Sequence, residues 1–79
     1  MRIEVHLFAT LLAYVPGARL GEPLVMDVDA GTTVADVVAR LGIPPAEVAI
    51  IMVNGVHRDA EQVLAEGDRL ALFPPIAGG

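Results

Sequence analysis

The sequence predicts a small α+β domain: a mixed sheet of about 4–5 strands, covered on one face by one main helix. Short stretches near both ends of the chain alternate apolar and polar residues, which is the period of a strand with one buried face. Between them, one stretch has the i, i+3, i+4, i+7 spacing of a helix with one apolar stripe, at Val34, Val37, Val38 and Leu41. One such helix can cover only one face of the sheet.

The first half of the chain predicts two strands and a short helical turn. Residues 2–8 alternate in polarity and predict the first strand. Residues 8–14 predict a helical turn that Pro16-Gly17 ends, within a loop over residues 15–22. Residues 24–29 alternate again, and two strands so close in sequence predict an antiparallel hairpin.

The main helix has start and stop signals. Thr33 and Asp36 have the spacing of a capping box, with Asp in place of the preferred Glu. Gly42 is placed to end the helix in a left-handed conformation, and Pro44-Pro45 is expected to stop anything further. The pattern therefore predicts a helix over about residues 34–41.

The second half predicts strands joined by tight turns. Residues 49–53 form a near-continuous apolar run, typical of a strand covered on both faces or central in a sheet. Asn54-Gly55 predicts a type I′ turn, after which residues 56–58 pair back. Val63-Leu64 is expected to place a loop or 3₁₀ turn in the core, and residues 69–73 predict the last strand.

Composition excludes several kinds of site. The chain contains no cysteine, which excludes disulfides, iron–sulfur ligation and a thiol nucleophile. Its five basic residues are unclustered arginines against ten acids, so no nucleic-acid partner is expected. Because lysine is absent, no side-chain amine can accept an isopeptide bond. No signal-peptide pattern or membrane-spanning apolar run is visible, so no membrane partner is expected, and a cytoplasmic location is expected by default.

Polar residues elsewhere do not predict a metal or catalytic site. His6 and His57 have no spaced carboxylate or cysteine partners, which favours solvated strand histidines over metal ligands. An acid pair or metal site at Asp27, Asp29 and Asp36 is the less favoured interpretation, against an outward strand face and a helix cap. No Ser-His-Asp spacing and no phosphate-binding glycine loop is present. No bound metal or cofactor is expected.

The chain is 54% hydrophobic, which is high for its length. Part of the apolar surface is therefore expected to face a partner, a well-packed domain with an aliphatic surface being the alternative. The candidates for the partner surface are Phe8, Val25, Ile50, Met52 and Phe73. Core membership is the alternative for each of them, and it is favoured for Ile50 and Met52.

The C-terminus is the most unusual stretch: Leu72-Phe73-Pro74-Pro75-Ile76-Ala77-Gly78-Gly79. The prolines lack a backbone donor, so the sheet cannot continue through them. We expect a folded domain over residues 1–75 and a flexible tail over residues 76–79 that projects in an extended form. Gly78 and Gly79 carry no side chain, so the final carboxylate can enter a channel too narrow for other residues.

This ending, together with Leu7-Phe8-Ala9 and Val53-Asn54-Gly55, resembles the MoaD/ThiS family of ubiquitin-like sulfur carriers. The resemblance covers the whole chain and implies a β-grasp (ubiquitin-like) fold. Phe-Pro-Pro before the tail is closer to MoaD, the small subunit of molybdopterin synthase, than to ThiS.

The resemblance also implies a reaction and its partners. An E1-like adenylyltransferase (MoeB/ThiF-like) would adenylate Gly79 with ATP, and a sulfurtransferase would supply the sulfur of a C-terminal thiocarboxylate. A molybdopterin synthase large subunit (MoaE-like) would hold the tail while the thiocarboxylate donates sulfur to a pterin precursor. The chain would thus be the small subunit of an enzyme and no enzyme alone. The implied tail and partner-binding residues are Phe8, Phe73, Pro74, Pro75, Ile76, Ala77 and Gly78.

One segment departs from the family pattern. Sequences like MoaD commonly carry Arg, often Arg-Glu, shortly after Phe-Ala, whereas this chain has Thr10-Leu11-Leu12-Ala13. A tungsten-pterin pathway, or another sulfur acceptor such as that of thiamine thiazole synthesis, therefore stays open. So do a ubiquitin-like modifier conjugated through Gly79 and a plain interaction domain with no tail chemistry.

Overall fold

The computed structural model describes residues 1–75 of the chain. The elements in order are β1 (Arg2–Leu7), a first 3₁₀ helix (Ala9–Tyr14), β2 (Leu24–Asp27), α1 (Val34–Arg40), a second 3₁₀ helix (Pro45–Glu47), β3 (Ile50–Val53), β4 (Val56–His57) and β5 (Arg69–Phe73). The tail predicted over residues 76–79 lies outside the described residues. No helix in the described part of the chain is both long and apolar enough to cross a bilayer.

The strands form one mixed sheet in the order β2-β1-β5-β3-β4. β1 and β5 are parallel, and the other neighbouring pairs are antiparallel. With α1 on one face, this architecture confirms the predicted fold class. Because parallel strands end at the same edge of a sheet, Leu7 and its partner Leu72 bring the end of β1 beside the base of the tail.

Both predicted hairpins are present. β1 and β2 pair from Arg2 opposite Asp27 to Val5 opposite Leu24. β3 and β4 are joined by Asn54 and Gly55, whose φ angles of 53° and 80° are the positive pair that a type I′ turn requires.

The helix begins and ends as its sequence predicts. The Thr33 hydroxyl oxygen accepts a hydrogen bond from the Asp36 N–H at 3.2 Å, and the Asp36 carboxylate accepts one from the Thr33 N–H at 3.0 Å. At the other end, Gly42 has φ 75° and its N–H donates to the Ala39 carbonyl. The Ile43 N–H donates to the Val38 carbonyl, which completes a Schellman motif. The last helical residue is Arg40, one before the predicted end.

One core lies between α1 and the sheet. Its buried members are Ile3, Val5, Leu7, Leu11, Met26, Val28, Val34, Val37, Val38, Ile43, Val53, Leu64, Leu70 and Leu72. The expectation for Val63-Leu64 is half right, since Leu64 is buried but Val63 is 52% exposed. Val63 forms an isolated antiparallel bridge with Thr33, and extended backbone points successive side chains in opposite directions.

In the middle of the chain, one expectation is wrong and another holds in one of its two alternatives. Pro44-Pro45 does not stop all helical structure, because Pro45 begins the second 3₁₀ helix, where its fixed φ suits the first position. Of the two alternatives for the apolar run at residues 49–53, a strand covered on both faces is excluded, since Ile50 is 39% exposed. The other alternative is confirmed, because β3 is interior to the sheet, paired with β5 on one edge and β4 on the other.

Candidate functional site

The face of the sheet that points away from α1 is exposed in the described part of the chain, and we call it the open face. Side chains alternate along a strand, so the neighbours of each core residue point to this face. Its members are Arg2, Glu4 and His6 from β1, Val25 and Asp27 from β2, Ile50 and Met52 from β3, and Arg69, Ala71 and Phe73 from β5.

The end of the open face nearest the tail is apolar. Phe73 lies opposite Ile50, and Ala71 lies opposite Met52 on the neighbouring strand. With Phe8 they form what we call the apolar patch. All five predicted partner-facing residues therefore lie on or beside the open face, including Val25, which is 60% exposed on β2. The preference for Ile50 and Met52 as core residues is wrong, because both project away from α1.

Phe8 and Phe73 stack on each other at the edge of the patch. Their ring centroids are 4.4 Å apart and their planes differ by 9°. The Phe8 N–H donates to the Leu72 carbonyl at 3.3 Å, which continues the parallel ladder one residue beyond β1. Ala9 then adopts φ 53°, a left-handed conformation that is uncommon outside glycine, and the chain turns into the first 3₁₀ helix. The two aromatic rings thus mark the point where both strands end.

Phe73, the last residue of β5 before the prolines and the tail, is hydrogen-bonded to the neighbouring chain segment through its backbone carbonyl. The Ala49 N–H donates to the Phe73 carbonyl at 2.8 Å. Pro74 and Pro75 follow and have no N–H to donate, so pairing through their nitrogens ends here. Pro74 is half-buried and Pro75 is exposed. The predicted site residues Ile76, Ala77, Gly78 and Gly79 lie outside the described residues.

The opposite end of the open face is charged. Glu4 lies opposite Arg69, and the Arg2 Nε lies 3.7 Å from the Asp27 carboxylate. The formal charges of these four residues cancel. The Arg2–Asp27 pair contributes little stability because both side chains are largely exposed to water. Along β5, the open face therefore changes from charged residues whose formal charges cancel to apolar residues at the end nearest the tail.

Both histidines and two of the three aspartates considered as metal or acid sites lie on strands or cap the helix. Register puts His6, Ala71, Met52 and His57 in one row across the sheet, so the two histidines flank the apolar patch. Asp27 faces Arg2, and Asp36 caps α1. Within residues 1–75, no group of three His, Asp or Glu side chains is placed to hold a metal ion.

Two concavities formed by the described residues lie near α1 and the β4 edge of the sheet. A pocket of about 80 Å³ is lined by Ala35, Val38, Pro45, Val48, Ile51 and Ala60. A wider cleft beside it, of about 510 Å³, is lined by Ala49, Ile51, His57, Arg58, Asp59 and Gln62. The pocket carries no charged side chain, and the cleft is open to solvent. The candidate site is therefore the open face, together with the tail that follows β5 in the sequence.

Comparisons with known proteins agree with this fold. The family model described as Mut7-C ubiquitin matches residues 1–77. SAMP1 from Haloferax volcanii is 34% identical over 100% of both chains, with a TM-score of 0.70. The Haloferax volcanii HVO 2177 protein is 28% identical over 100% of this chain and 87% of its own, with a TM-score of 0.75.

A further solved structure is the complex of subunits 1 and 2 of the molybdopterin-converting factor from Helicobacter pylori. The matched chain is 22% identical over 100% of both chains, with a TM-score of 0.63, which is a likeness of fold alone. No curated protein matches the chain. The mixed five-stranded sheet under one main helix is the β-grasp fold of these ubiquitin-like structures, and the chain belongs to the Mut7-C ubiquitin family.

Proposed function

We propose that this protein is a sulfur carrier that acts through Gly79 in the synthesis of molybdopterin for a molybdenum or tungsten cofactor. One observation carries the proposal: the apolar patch lies at the base of a Gly-Gly tail. Phe73, one of the two stacked rings, is followed directly by Pro74 in the sequence. A partner that covers the patch would therefore lie next to the start of the tail. The described residues offer no competing catalytic cluster.

The chemistry needs little from the body of the protein. A carboxylate is a poor electrophile, and adenylation by an E1-like adenylyltransferase with ATP supplies AMP as a good leaving group. A sulfide equivalent (HS⁻) from the sulfur source attacks the Gly79 carbonyl carbon, which forms the C–S bond and breaks the C–O bond to AMP. AMP leaves, and loss of the S–H proton gives the thiocarboxylate. The thiocarboxylate sulfur is then the nucleophile toward the pterin precursor.

Docking on the open face delivers the tail. From Phe73 to the terminal carboxylate, an extended chain spans about 20 Å, which reaches a pocket inside another protein. Binding of the apolar patch raises the effective concentration of the tail in that pocket. The Helicobacter pylori structure, in which a protein of this fold is one of two subunits of a molybdopterin-converting factor, supports a partner of this kind.

A ubiquitin-like modifier conjugated through Gly79 is the second candidate. It is favoured by the 31% identity to Haloferax volcanii small archaeal modifier protein 1, which covers 95% of this chain. Both functions require the same activation and differ in the nucleophile that takes the acyl group. The segment Thr10-Leu11-Leu12-Ala13, which departs from the MoaD pattern, lies in the first 3₁₀ helix, which begins at Ala9.

Intact mass separates these functions. The purified protein is incubated with an E1-like adenylyltransferase, ATP and a sulfur source. Replacement of one oxygen by sulfur at Gly79 supports the carrier, and attachment to lysines of other proteins supports the modifier. An unchanged mass, with partner binding that survives deletion of Gly78 and Gly79, would exclude both and leave a plain interaction domain.

A further inference from the structure

We infer that the body of this protein cannot accept the acyl group that its own Gly79 carries, so that an activated copy forms no chains with other copies. The inference rests on the proposed activation of Gly79 and concerns what the activated chain can react with. Any conjugate formed through Gly79 would therefore contain one copy of the protein.

The sequence lacks the side chains that usually accept acyl groups. Among its 79 residues there is no lysine, no cysteine and no serine. All five cationic side chains are arginines, whose guanidinium groups stay protonated and have no free nitrogen lone pair. The chain therefore keeps its positive charges without any side-chain amine. The remaining groups to consider are the amine of Met1, the imidazoles of His6 and His57, and the hydroxyls of Thr10, Tyr14, Thr32 and Thr33.

The amine of Met1 is held by the sheet. It donates a hydrogen bond to the Val28 carbonyl at 2.7 Å, and the Val28 N–H donates to the Met1 carbonyl at 2.8 Å. These bonds extend the β1–β2 ladder beyond Arg2. To attack a carbonyl carbon, the ammonium must lose a proton and leave this position, which breaks the hydrogen bond to Val28.

The Met1 amine also lies at the wrong end of the sheet. β1 and β5 are parallel, and Leu7 pairs with Leu72 near the base of the tail. Met1 is therefore about 20 Å back along the strand, at roughly 3.3 Å per residue. The stretch from Pro74 to Gly79 spans about 20 Å when fully extended. Transfer within one molecule would need the whole tail to lie back along the sheet.

The hydroxyls and imidazoles do not provide a stable acceptor. The Thr33 hydroxyl is engaged in the capping box. Hydroxyl groups are weak nucleophiles unless a base activates them. An acyl group on His6 or His57 would form an acyl-imidazole, which water hydrolyses. An activated Gly79 should therefore form no stable acyl product with the side chains of other copies.

The test uses a Gly79 thioester, made by thiolysis of a C-terminal intein fusion of the full chain. No activating enzyme is needed, so the result is independent of the adenylation on which the proposed function depends. In the reaction tested, an amine nitrogen attacks the Gly79 carbonyl carbon and the C–S bond breaks. The thiol leaves and the nitrogen loses a proton to give an amide.

The matched variant is Arg19→Lys, which adds one amine at an exposed loop position and keeps the charge. Each thioester is incubated at mildly alkaline pH, and intact mass is read over time. Acetyl-lysine amide, added to the wild-type thioester at the protein's own concentration, gives the yield expected of one accessible amine. Circular dichroism checks that both proteins are folded.

We expect the wild-type thioester to hydrolyse to the carboxylate, with covalent dimers and cyclised chains below a tenth of the acetyl-lysine amide yield. We expect Arg19→Lys to give dimers or cyclised chains at a yield comparable to that probe. Wild-type dimers or cyclised chains at the probe's yield would overturn the inference. An Arg19→Lys protein as inert as the wild type would overturn it too, because the missing lysine would then not be the reason.

Discussion

The two faces of the sheet are built from the same strands, but one face is buried under α1 and the other is exposed to solvent. In β5, Leu70 and Leu72 are fully buried beneath α1, while the alternating residues Ala71 and Phe73 lie on the open face. The period of two in a strand thus puts neighbouring residues on different faces, one set in the core and the other on the face that we propose for docking. Substitutions on one face should therefore change stability, and those on the other should change partner binding.

The largest expected effect is on the core face. Leu70→Ala removes a fully buried side chain from the middle of the sheet and should lower the free energy of unfolding by about 2–5 kcal/mol. Urea denaturation measures the change. Met52→Ala, on the open face one strand away, should cost less than half as much, since no helix packs over it. Equal losses for the two variants would contradict the separation of the faces.

On the open face, the largest effect should be on binding. Phe73→Ala removes one ring of the stack at the edge of the apolar patch, so affinity for the proposed adenylyltransferase should fall about 30-fold or more, or about 2 kcal/mol. Calorimetric titration measures it. Val25→Ala is the control on the same face, outside the patch, and should change affinity less than about threefold. A Phe73→Ala protein that is folded and binds normally would exclude the patch as the docking site.

Removal of the helix cap should lower the stability of the fold and leave partner affinity unchanged. Thr33→Ala removes the hydroxyl of the capping box and should lower the free energy of unfolding by about 1 kcal/mol. Thr32→Ala, the neighbouring threonine, is the matched control and should cost a few tenths at most. Partner affinity should be unchanged in both. A loss of affinity with Thr33→Ala would mean that the layer of α1 takes part in docking.

The smallest effect should lie at the charged end of the open face. Asp27→Asn breaks the exposed pair with Arg2 and should change the free energy of unfolding by less than about 0.5 kcal/mol. Partner affinity at physiological salt should also stay within about twofold, because this pair lies at the end of the face away from the tail. A large loss of affinity would move the docking site toward the charged end.

Local signals explain which parts of the fold could be predicted. The capping box of Thr33, the left-handed Gly42 and the Asn54-Gly55 turn each depend on a few neighbouring residues, and the structure confirms all of them. The faces of β3 could not be assigned, because a continuous apolar run has no period of two from which to read its orientation.

Long-range contacts explain most of what the sequence left open at the site. The Phe8–Phe73 stack depends on parallel pairing between the first and last strands, which no local pattern shows. Both residues could still be proposed as partner-binding, because the Phe-Ala and Phe-Pro-Pro segments resemble a known family. The positive φ of Ala9 had no sequence signal, since alanine rarely adopts it. The roles of Ile76 to Gly79 stay predictions.

The most direct test of the central claim, that the body docks while Gly79 alone reacts, compares the wild type with a form that carries one alanine appended after Gly79. Both are incubated with the adenylyltransferase, ATP and a sulfur source, and intact mass is measured. We predict that one oxygen is replaced by sulfur in the wild type and that the extended form keeps its mass while it binds the enzyme with equal affinity. Thiocarboxylate formation on the extended form at the wild-type rate would contradict the claim.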